Sequence, residues 1–272
     1  MSKPPVVWTI AGFDPSSGAG ITADLKTISR FECYGAACIT ALTVQNTLGV
    51  RRVESISAQI VHETLQALLD DIPPSAIKIG MLSTSYNVAV VADFLDALPR
   101  PYCPIVLDPV LRSSSGTDLL DIAGIRLLVS RLLPLTTVVT PNREEAAILT
   151  GLPSECPEIM AQALRLLGVG AAVVTGGDAP GMGDAQCSTD ALVYAVQGIE
   201  FVETLSARRI HSNATHGTGC AFSTAIACAL AQGQNIPTAV TSAKAFVLRA
   251  IERAPGLGKG IGPMGLDHAG TK

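Results

Sequence analysis

The sequence is poor in aromatic and charged residues, which make up 4% and 15% of its 272 positions. Its basic residues form no run longer than a pair such as Arg51-Arg52, and the formal net charge is -4. No positive patch therefore indicates a nucleic-acid partner. The sequence also has no run of about 18 apolar residues, so we expect no membrane span. Hydrophobic residues make up 48% of the sequence, and because few of them are aromatic they indicate a large aliphatic core.

The sequence also lacks any spacing that would pair its cysteines. The seven cysteines are scattered and odd in number, without the C-x-x-C spacing that is typical of zinc sites and redox dithiols. The amino terminus has one lysine and a short apolar run that meets a Gly/Ser-rich loop, which is unlike a secretory signal peptide. These features favour a cytoplasmic protein with reduced thiols.

Short β-branched segments alternate with segments of helical period over much of the chain. This alternation predicts one α/β domain over residues 1–272, with a mostly parallel sheet covered by helices on both faces. The predicted strands are 6–12, 36–44, 76–82, 104–110, 136–142 and 171–177, and the helices between them are 20–35, 57–72, 85–98, 121–134 and 142–151. An antiparallel hairpin is expected over 188–210, and helices are expected at 218–232 and 236–253. The tail 254–265 fits none of these patterns.

Polar residues and glycines follow the predicted strands. In an open parallel sheet, ligands collect outside the carboxyl ends of the strands. These ends carry Gly12-Phe13-Asp14, Gln45-Asn46, Gly80-Met81, Asp108-Pro109, Pro141-Asn142 and Gly176-Gly177-Asp178. We therefore expect the ligand site along this one edge of the sheet.

The first glycine-rich loop matches a dinucleotide-binding fingerprint in its residue spacing but not in its position relative to the predicted strands. Gly18, Gly20 and Ala23 have the spacing G-x-G-x-x-G/A, which would suit a nicotinamide-dependent oxidoreductase. That fold needs the glycines directly after the strand and an acid at the end of the next strand. Here "FDPSS" intervenes, and the second strand ends in Gln45-Asn46. Close approach of a ligand to the backbone, or a plain turn with a helix cap, explains the loop better.

The second glycine-rich loop, "HGTGC", stands at the start of a predicted helix. Free N–H groups and the helix dipole favour an anion there, and Gly217 and Gly219 would let it approach the backbone. The P-loop pattern is absent, and simple helix capping is the competing interpretation. The dipole would also favour the thiolate form of Cys220, whereas Cys228, two turns later, is expected to be a buried core residue.

Six motifs occur in order along nearly the whole chain: "TIAGFDPSSGAGITADLKT", "ITALTVQNT", "KIGML", "VLDPV", "TPNREEA" and "THGTGC". Together they resemble the hydroxymethylpyrimidine/phosphomethylpyrimidine kinases of thiamine biosynthesis, within the ribokinase-like superfamily. The resemblance implies a three-layer αβα sandwich with a mostly parallel central sheet. It also implies that ATP with Mg²⁺ phosphorylates 4-amino-5-hydroxymethyl-2-methylpyrimidine and then its monophosphate.

The resemblance also assigns the residues that hold the pyrimidine. They would be Gly12, Asp24, Gln45, Met81 and Val110. A glutamine amide suits a ring with adjacent donor and acceptor atoms, because it offers both on one planar group. Without the resemblance, Asp24 would be interpreted as a first-turn helix acid and Met81 as a core residue.

In the same way, the "HGTGC" loop resembles the anion hole of the family. The amides of Gly217, Thr218 and Gly219 would face the transferred phosphoryl group, with Cys220 near the acceptor hydroxyl as general base. Phosphoryl transfer depends mainly on positioning and charge neutralisation, so the base is expected to contribute less than the anion hole. His216 would orient this loop or cap the helix.

Asn142 and Glu145 resemble the residues that organise Mg²⁺ and its waters around the phosphates, and Lys244 corresponds to a lysine near the nucleotide. An amide and a carboxylate acting partly through water suit Mg²⁺, which keeps most of its hydration shell. The competing interpretations are a solvated helix start, formed by Glu144 and Glu145, and a surface charge at Lys244.

One position departs from the family pattern. Thr175 stands where members usually have a lysine that faces the phosphates, in Thr175-Gly176-Gly177-Asp178 in place of Lys-Gly-Gly-His. Lys244 or a second metal would have to compensate for the missing positive charge. Otherwise the second phosphorylation, whose acceptor is already charged, should be weaker than the first.

Three alternatives stay open at this point. A pyridoxal or pyridoxine kinase would also phosphorylate a hydroxymethyl group on a flat heteroaromatic ring. A nicotinamide-dependent oxidoreductase would use Gly18-Ala19-Gly20, and a catalytically silent protein would have kept only the pocket. In each case the partner is a small molecule, and because relatives are commonly dimers, we expect a homodimer.

Overall fold

One mixed sheet runs through the molecule. The structure is a computed structural model that describes residues 3–113, 116–153, 156–177 and 186–268. The strands are β1 Val6–Phe13, β2 Tyr34–Asn46, β3 Gly49–Ser55, β4 Ala76–Ile79, β5 Ile105–Leu107, β6 Val138–Val139, β7 Ala171–Val174, β8 Cys187–Val196 and β9 Ile199–Arg208. Their order is β3-β2-β1-β4-β5-β6-β7-β8-β9. Neighbouring strands pair in parallel along β2-β1-β4-β5-β6-β7. At the two ends of the sheet, β3 pairs antiparallel with β2, β8 with β7, and β9 with β8.

Helices cover both faces of this sheet. They are α1 Gly20–Arg30, α2 Ala58–Asp71, α3 Ser85–Asp96, α4 Ile122–Leu127, α5 Arg143–Thr150, α6 Pro157–Leu166, α7 Thr218–Ala231 and α8 Ile236–Glu252. Side chains alternate along the central strand, so Trp8 packs in the cluster that holds α2 to α6, and Val7 packs with α1, α7 and α8. The predicted three-layer sandwich is therefore confirmed. None of the helices in the described ranges has the length and hydropathy that a membrane crossing requires.

The predicted strand 36–44 pairs in parallel with β1, but it is longer than predicted, and a second strand that pairs with it was not predicted. β2 continues to Asn46, turns at Thr47-Leu48 and returns as β3, in the antiparallel register Ala41↔Ser55. Val44, on the projecting part, is 56% exposed. The hairpin was missed because its residues are largely exposed, so no fully buried face imposes a clear alternation of polar and apolar residues.

Two helical predictions also change. The segment 121–134 is not one α-helix, because α4 passes into a π-helical turn over Leu128–Leu132 and a 3₁₀ turn over Leu133–Leu135. α6, which begins with proline at its first position, was not predicted. The unassigned tail packs beside the β2–β3 turn, since Ile261 N–H donates to the carbonyl of Thr47 at 2.9 Å.

Candidate active site

The two glycine-rich loops meet at the carboxyl edge of the sheet. Gly217 adopts a left-handed conformation with φ of 81°, and a Cβ atom there would overlap the carbonyl oxygen of Gly18. A Cβ atom at Gly18 would in turn overlap the ring of His216. The close approach of two backbones explains why small residues occupy both loops.

The carboxylate of Asp14 joins these two loops. It accepts hydrogen bonds from the backbone N–H groups of Ser16 at 2.8 Å, Gly18 at 3.2 Å and Ala19 at 2.8 Å. Its Oδ2 also lies 2.9 Å from Nε2 of His216, in the second loop. Burial alone would raise the pKa of Asp14, but the hydrogen bonds from His216 and Ser16 outweigh it and lower the pKa to about 2.

This lowered pKa predicts a pH-dependent contribution to stability. The ionised carboxylate of Asp14 should stabilise the fold by about 2 kcal/mol at pH 7, because its pKa falls from 3.8 to about 2 on folding. The contribution is present above pH 4, and about half of it should be lost at pH 3. Urea unfolding of the wild type and Asp14→Asn at pH 7, 5 and 3 measures the difference. Asp96→Asn, at an exposed carboxylate, is the control; a pH-independent difference at Asp14 would contradict the assignment.

α7 starts at the second loop without a capping side chain. Its N-cap is Gly217, and no side-chain hydrogen bond caps the helix. The N–H of Thr218 makes only a long 3.4 Å bond to Thr215, and within the described residues the N–H groups of Gly219 and Cys220 have no backbone acceptor. The simple capping interpretation is therefore incomplete, because donors at the positive end of the helix dipole remain available to an anion.

A fully buried ion pair lies beneath this helix start. Nζ of Lys78 is 2.8 Å from Oδ2 of Asp24, and neither side chain is exposed. Asp24 also accepts hydrogen bonds from Thr9 at 2.5 Å and Thr224 at 2.8 Å. Burial lowers the pKa of Lys78, but the negative charge of Asp24 and its neighbours raises it overall, so the ammonium stays charged. The first-turn interpretation of Asp24 is wrong, because α1 has no acid in its first turn.

Asp108 and Cys220 lie side by side above that pair. Burial raises the pKa of Asp108 to about 6, although the charge of Lys78 and the hydrogen bond from Ser223 oppose this rise. Burial also raises the pKa of Cys220 to about 12, although part of the residue remains accessible. The prediction that the dipole favours a Cys220 thiolate is therefore wrong, because desolvation by the surrounding atoms outweighs the attraction of Lys78. Cys228 is fully buried, as predicted.

The predicted pyrimidine residues are partly brought together. A Cβ atom at Gly12 would lie 3.0 Å from Sδ of Met81, and Val110 packs against the small cluster that contains Met81. Gln45 lies farther out, half-buried in the hairpin and opposite Val50 of β3. Asp24 lies beneath this group, with its carboxylate engaged as described. The substrate contacts of these residues stay a prediction.

α5 begins with the predicted magnesium residues. Asn142 Oδ1 accepts from Glu145 N–H at 2.9 Å, and Glu145 Oε2 accepts from Asn142 N–H at 3.0 Å, which is a capping box. Glu145 is buried, and its Oε1 also accepts from Leu111 N–H at 3.3 Å, so a solvated helix start does not describe it. An oriented carboxylate that acts through water fits Mg²⁺.

Thr175 and Lys244 lie at the end of β7. Lys244 is not a free surface charge, because its Nζ is 2.6 Å from Oδ2 of Asp190 and its side chain is 12% exposed. Oδ1 of Asp190 accepts from Gly176 N–H at 3.0 Å. The positive charge of Lys244 is therefore opposed by Asp190, which weakens the idea that Lys244 compensates for Thr175. Asp178 lies outside the described residues.

Sequence reasoning assigned no role to Lys78, Asp108 or Asp14, although all three lie in the quoted motifs or strand ends. The signal for Lys78 was a lysine between isoleucines in an apolar strand, because such a charge is almost never fully buried without a partner. Its partner, Asp24, lies 54 residues away in sequence, so only the fold reveals the pair.

The sequence profile of the phosphomethylpyrimidine kinase family matches residues 14–265. The chain belongs to this family. A hydroxymethylpyrimidine/phosphomethylpyrimidine kinase of Rhizobium meliloti (strain 1021) is 42% identical over 265 residues, which are 95% of this chain and 96% of that protein. The resemblance inferred from the six motifs is thus confirmed.

Solved structures of kinases share the fold of this family member. The pyridoxal kinase from Staphylococcus aureus in complex with pyridoxal has a TM-score of 0.85 and 31% identity, covering 98% of this chain and 94% of that one. The phosphomethylpyrimidine kinase from Clostridium difficile 630 has a TM-score of 0.75 and 34% identity, covering 91% and 99%. The Staphylococcus aureus kinase has also been solved with ADP and with AMP-PCP. The predicted ribokinase-like fold is therefore confirmed.

Proposed function

We propose that this kinase transfers the γ-phosphoryl group of ATP to the hydroxymethyl oxygen of 4-amino-5-hydroxymethyl-2-methylpyrimidine and then phosphorylates the monophosphate. The observation that carries the proposal is the start of α7, where available backbone donors stand beside Asp108 and Cys220 in a member of this kinase family. Such donors stabilise the negative charge on a phosphoryl group in the transition state of its transfer.

Different residues at this edge would bind the transferred phosphoryl group, the pyrimidine ring, the nucleotide and the metal. The N–H groups of Gly219 and Cys220 would bind the transferred group, while Gly12, Met81 and Val110 would hold the ring. The nucleotide would be bound by Asn142, Thr175 and Lys244, at the same edge of the sheet. Glu145, fixed by two backbone donors, would orient the water shell of Mg²⁺, and the metal would neutralise phosphate charge there.

The acceptor hydroxyl must lose a proton during transfer. With a pKa raised to about 12, Cys220 holds its own proton at neutral pH, and its thiol lies beside the carboxylate of Asp108. We propose that Cys220 passes that proton to Asp108 while it accepts the proton of the hydroxyl. A carboxylate with a pKa of about 6 is a suitable final acceptor near neutral pH.

This role predicts a partial loss of activity on removing the thiol. Cys220→Ala should lower kcat by about 10²- to 10⁴-fold, the usual contribution of acid–base help, and leave measurable turnover from the anion hole. Cys220→Ser should retain more activity than Cys220→Ala, because a hydroxyl can still carry a proton. Steady-state kinetics of both variants, with Cys156→Ala as a control on a remote thiol, makes the comparison. Unchanged kcat in Cys220→Ala would contradict the role.

Pyridoxal is the second candidate substrate, because the similar Staphylococcus aureus structure was solved with pyridoxal bound. An ADP-release assay with the pyrimidine, its monophosphate and pyridoxal, side by side, ranks the three by kcat/KM. We expect the pyrimidine to rank first.

The homodimer, the cytoplasmic location and the single domain over residues 1–272 stay predictions, for which sedimentation, cell fractionation and unfolding curves are the tests.

A further inference from the structure

Arg143 carries a buried nitrogen that has no hydrogen-bond partner among the residues that the structure describes. It is the first residue of α5, directly after the N-cap Asn142. Its Nε is buried and makes no hydrogen bond, and the described residues contain no ion pair to its guanidinium. Buried polar groups in folded proteins are nearly always hydrogen-bonded, so an unpaired donor on a cation points to a missing anionic partner.

The guanidinium lies at the carboxyl edge of the sheet, between β6 and β7. A Cβ atom built on Gly176 would lie 3.6 Å from Nη2 of Arg143. The chain next to it is tied across the two strands, because Thr175 N–H donates to the carbonyl of Pro141 at 2.9 Å and Asn142 bridges to Thr175. Arg143 is thus held beside Thr175, on the edge where nucleotide binding is proposed.

Two described carboxylates near this edge, those of Asp190 and Glu145, are already engaged. Asp190 is paired with Lys244 at 2.6 Å and accepts from Gly176 N–H at 3.0 Å. Glu145 is held by the backbone N–H groups of Asn142 and Leu111. Neither carboxylate forms a salt bridge with Arg143. Within the described chain the charge of Arg143 is therefore uncompensated, whereas the charge of Lys244 is compensated by Asp190.

We propose that Arg143 binds a phosphate group of the nucleotide and provides the positive charge that Thr175 cannot. The inference rests on the proposed function, because it assigns one contact within the nucleotide site of that kinase. A planar guanidinium suits the recognition of phosphate oxygens by paired hydrogen bonds. The ligand class is a nucleoside diphosphate or triphosphate.

Titration calorimetry with ADP and with AMP-PCP tests the contact independently of turnover. Arg143→Gln should weaken binding of both about 10- to 100-fold, the loss expected for one charge-assisted hydrogen bond. Arg143→Lys should lose less affinity than Arg143→Gln, because lysine keeps the positive charge although it lacks the paired N–H donors of the guanidinium. The matched control is Arg100→Gln, an exposed arginine paired with Asp96 before the amino end of β5, which should bind both nucleotides like the wild type.

A charge exchange completes the test. Thr175→Lys added to Arg143→Gln should restore at least part of the affinity for ADP, because it places a cation next to the lost one. The melting temperature of ligand-free Arg143→Gln should not fall, since the guanidinium of Arg143 forms no ion pair with a described residue and its buried Nε makes no hydrogen bond. Equal ADP affinity in the wild type and Arg143→Gln would overturn the inference, as would a fall in melting temperature without rescue by Thr175→Lys.

The proposed function fails in a distinguishable way. If the wild type bound no ADP or AMP-PCP and released no ADP from ATP, both the function and the contact would be wrong. If the wild type bound and turned over ATP while the Arg143 variants bound it equally well, only the contact would be wrong.

Discussion

Gly217→Ala should lower turnover by at least about 100-fold, the loss expected when the donors of an anion hole are misplaced. The left-handed backbone at Gly217 disfavours any side chain, and a Cβ atom would overlap the carbonyl oxygen of Gly18. The two loops must then separate, which moves the first N–H groups of α7 away from Asp108. Steady-state kinetics with ATP and the pyrimidine measures the loss.

Gly233→Ala is the matched control, because Gly233 follows the other end of α7 with a similar φ of 84° and open space where a Cβ atom would lie. It should cost about 1 kcal/mol in the free energy of unfolding and leave kcat nearly unchanged. If the two variants lost activity equally, backbone strain alone would explain the effect, and the contact between the loops would not position the anion hole.

Lys78→Met should lower the free energy of unfolding by about 3–5 kcal/mol, because it leaves the Asp24 carboxylate buried without its counter-charge. Methionine has a similar length, so the change removes mainly the charge. Urea unfolding at pH 7 measures the loss. Lys26→Met, at an exposed pair with Asp267, should change stability by less than about 1 kcal/mol.

A second variant separates charge from packing at this position. Lys78→Met combined with Asp24→Asn should recover much of the lost stability, since no unpaired charge then remains. The neutral amide can still accept from Thr9 and Thr224. A loss in the double variant as large as in Lys78→Met would show that Lys78 stabilises the fold through packing rather than through the ion pair.

The sequence predicted the core of the sheet and the gathering of glycines and polar residues along its carboxyl edge. Those predictions succeeded because buried parallel strands such as Ala171–Val174 are short apolar runs, and chain order places their carboxyl ends together. The β2–β3 hairpin was missed because its residues are largely exposed, and an exposed strand pair leaves little apolar pattern in the sequence.

The electrostatics of the site could not be predicted from sequence. A helix start suggests a lowered pKa for Cys220, yet the number of atoms packed around a thiol is a property of the fold, and here burial has the larger effect. Likewise, Arg143 and Lys244 look equivalent in sequence as single basic residues. Only the position of Asp190 distinguishes the paired cation from the unpaired one.

The measurement that tests the central claim most directly is phosphoryl transfer from [γ-³²P]ATP in the presence of equal concentrations of 4-amino-5-hydroxymethyl-2-methylpyrimidine and pyridoxal, with the labelled products separated and identified. The proposed function predicts that label appears first in the monophosphate and then in the diphosphate, and that both products are strongly reduced with Gly217→Ala. Label that appeared only in inorganic phosphate, or only in a product of pyridoxal, would contradict it.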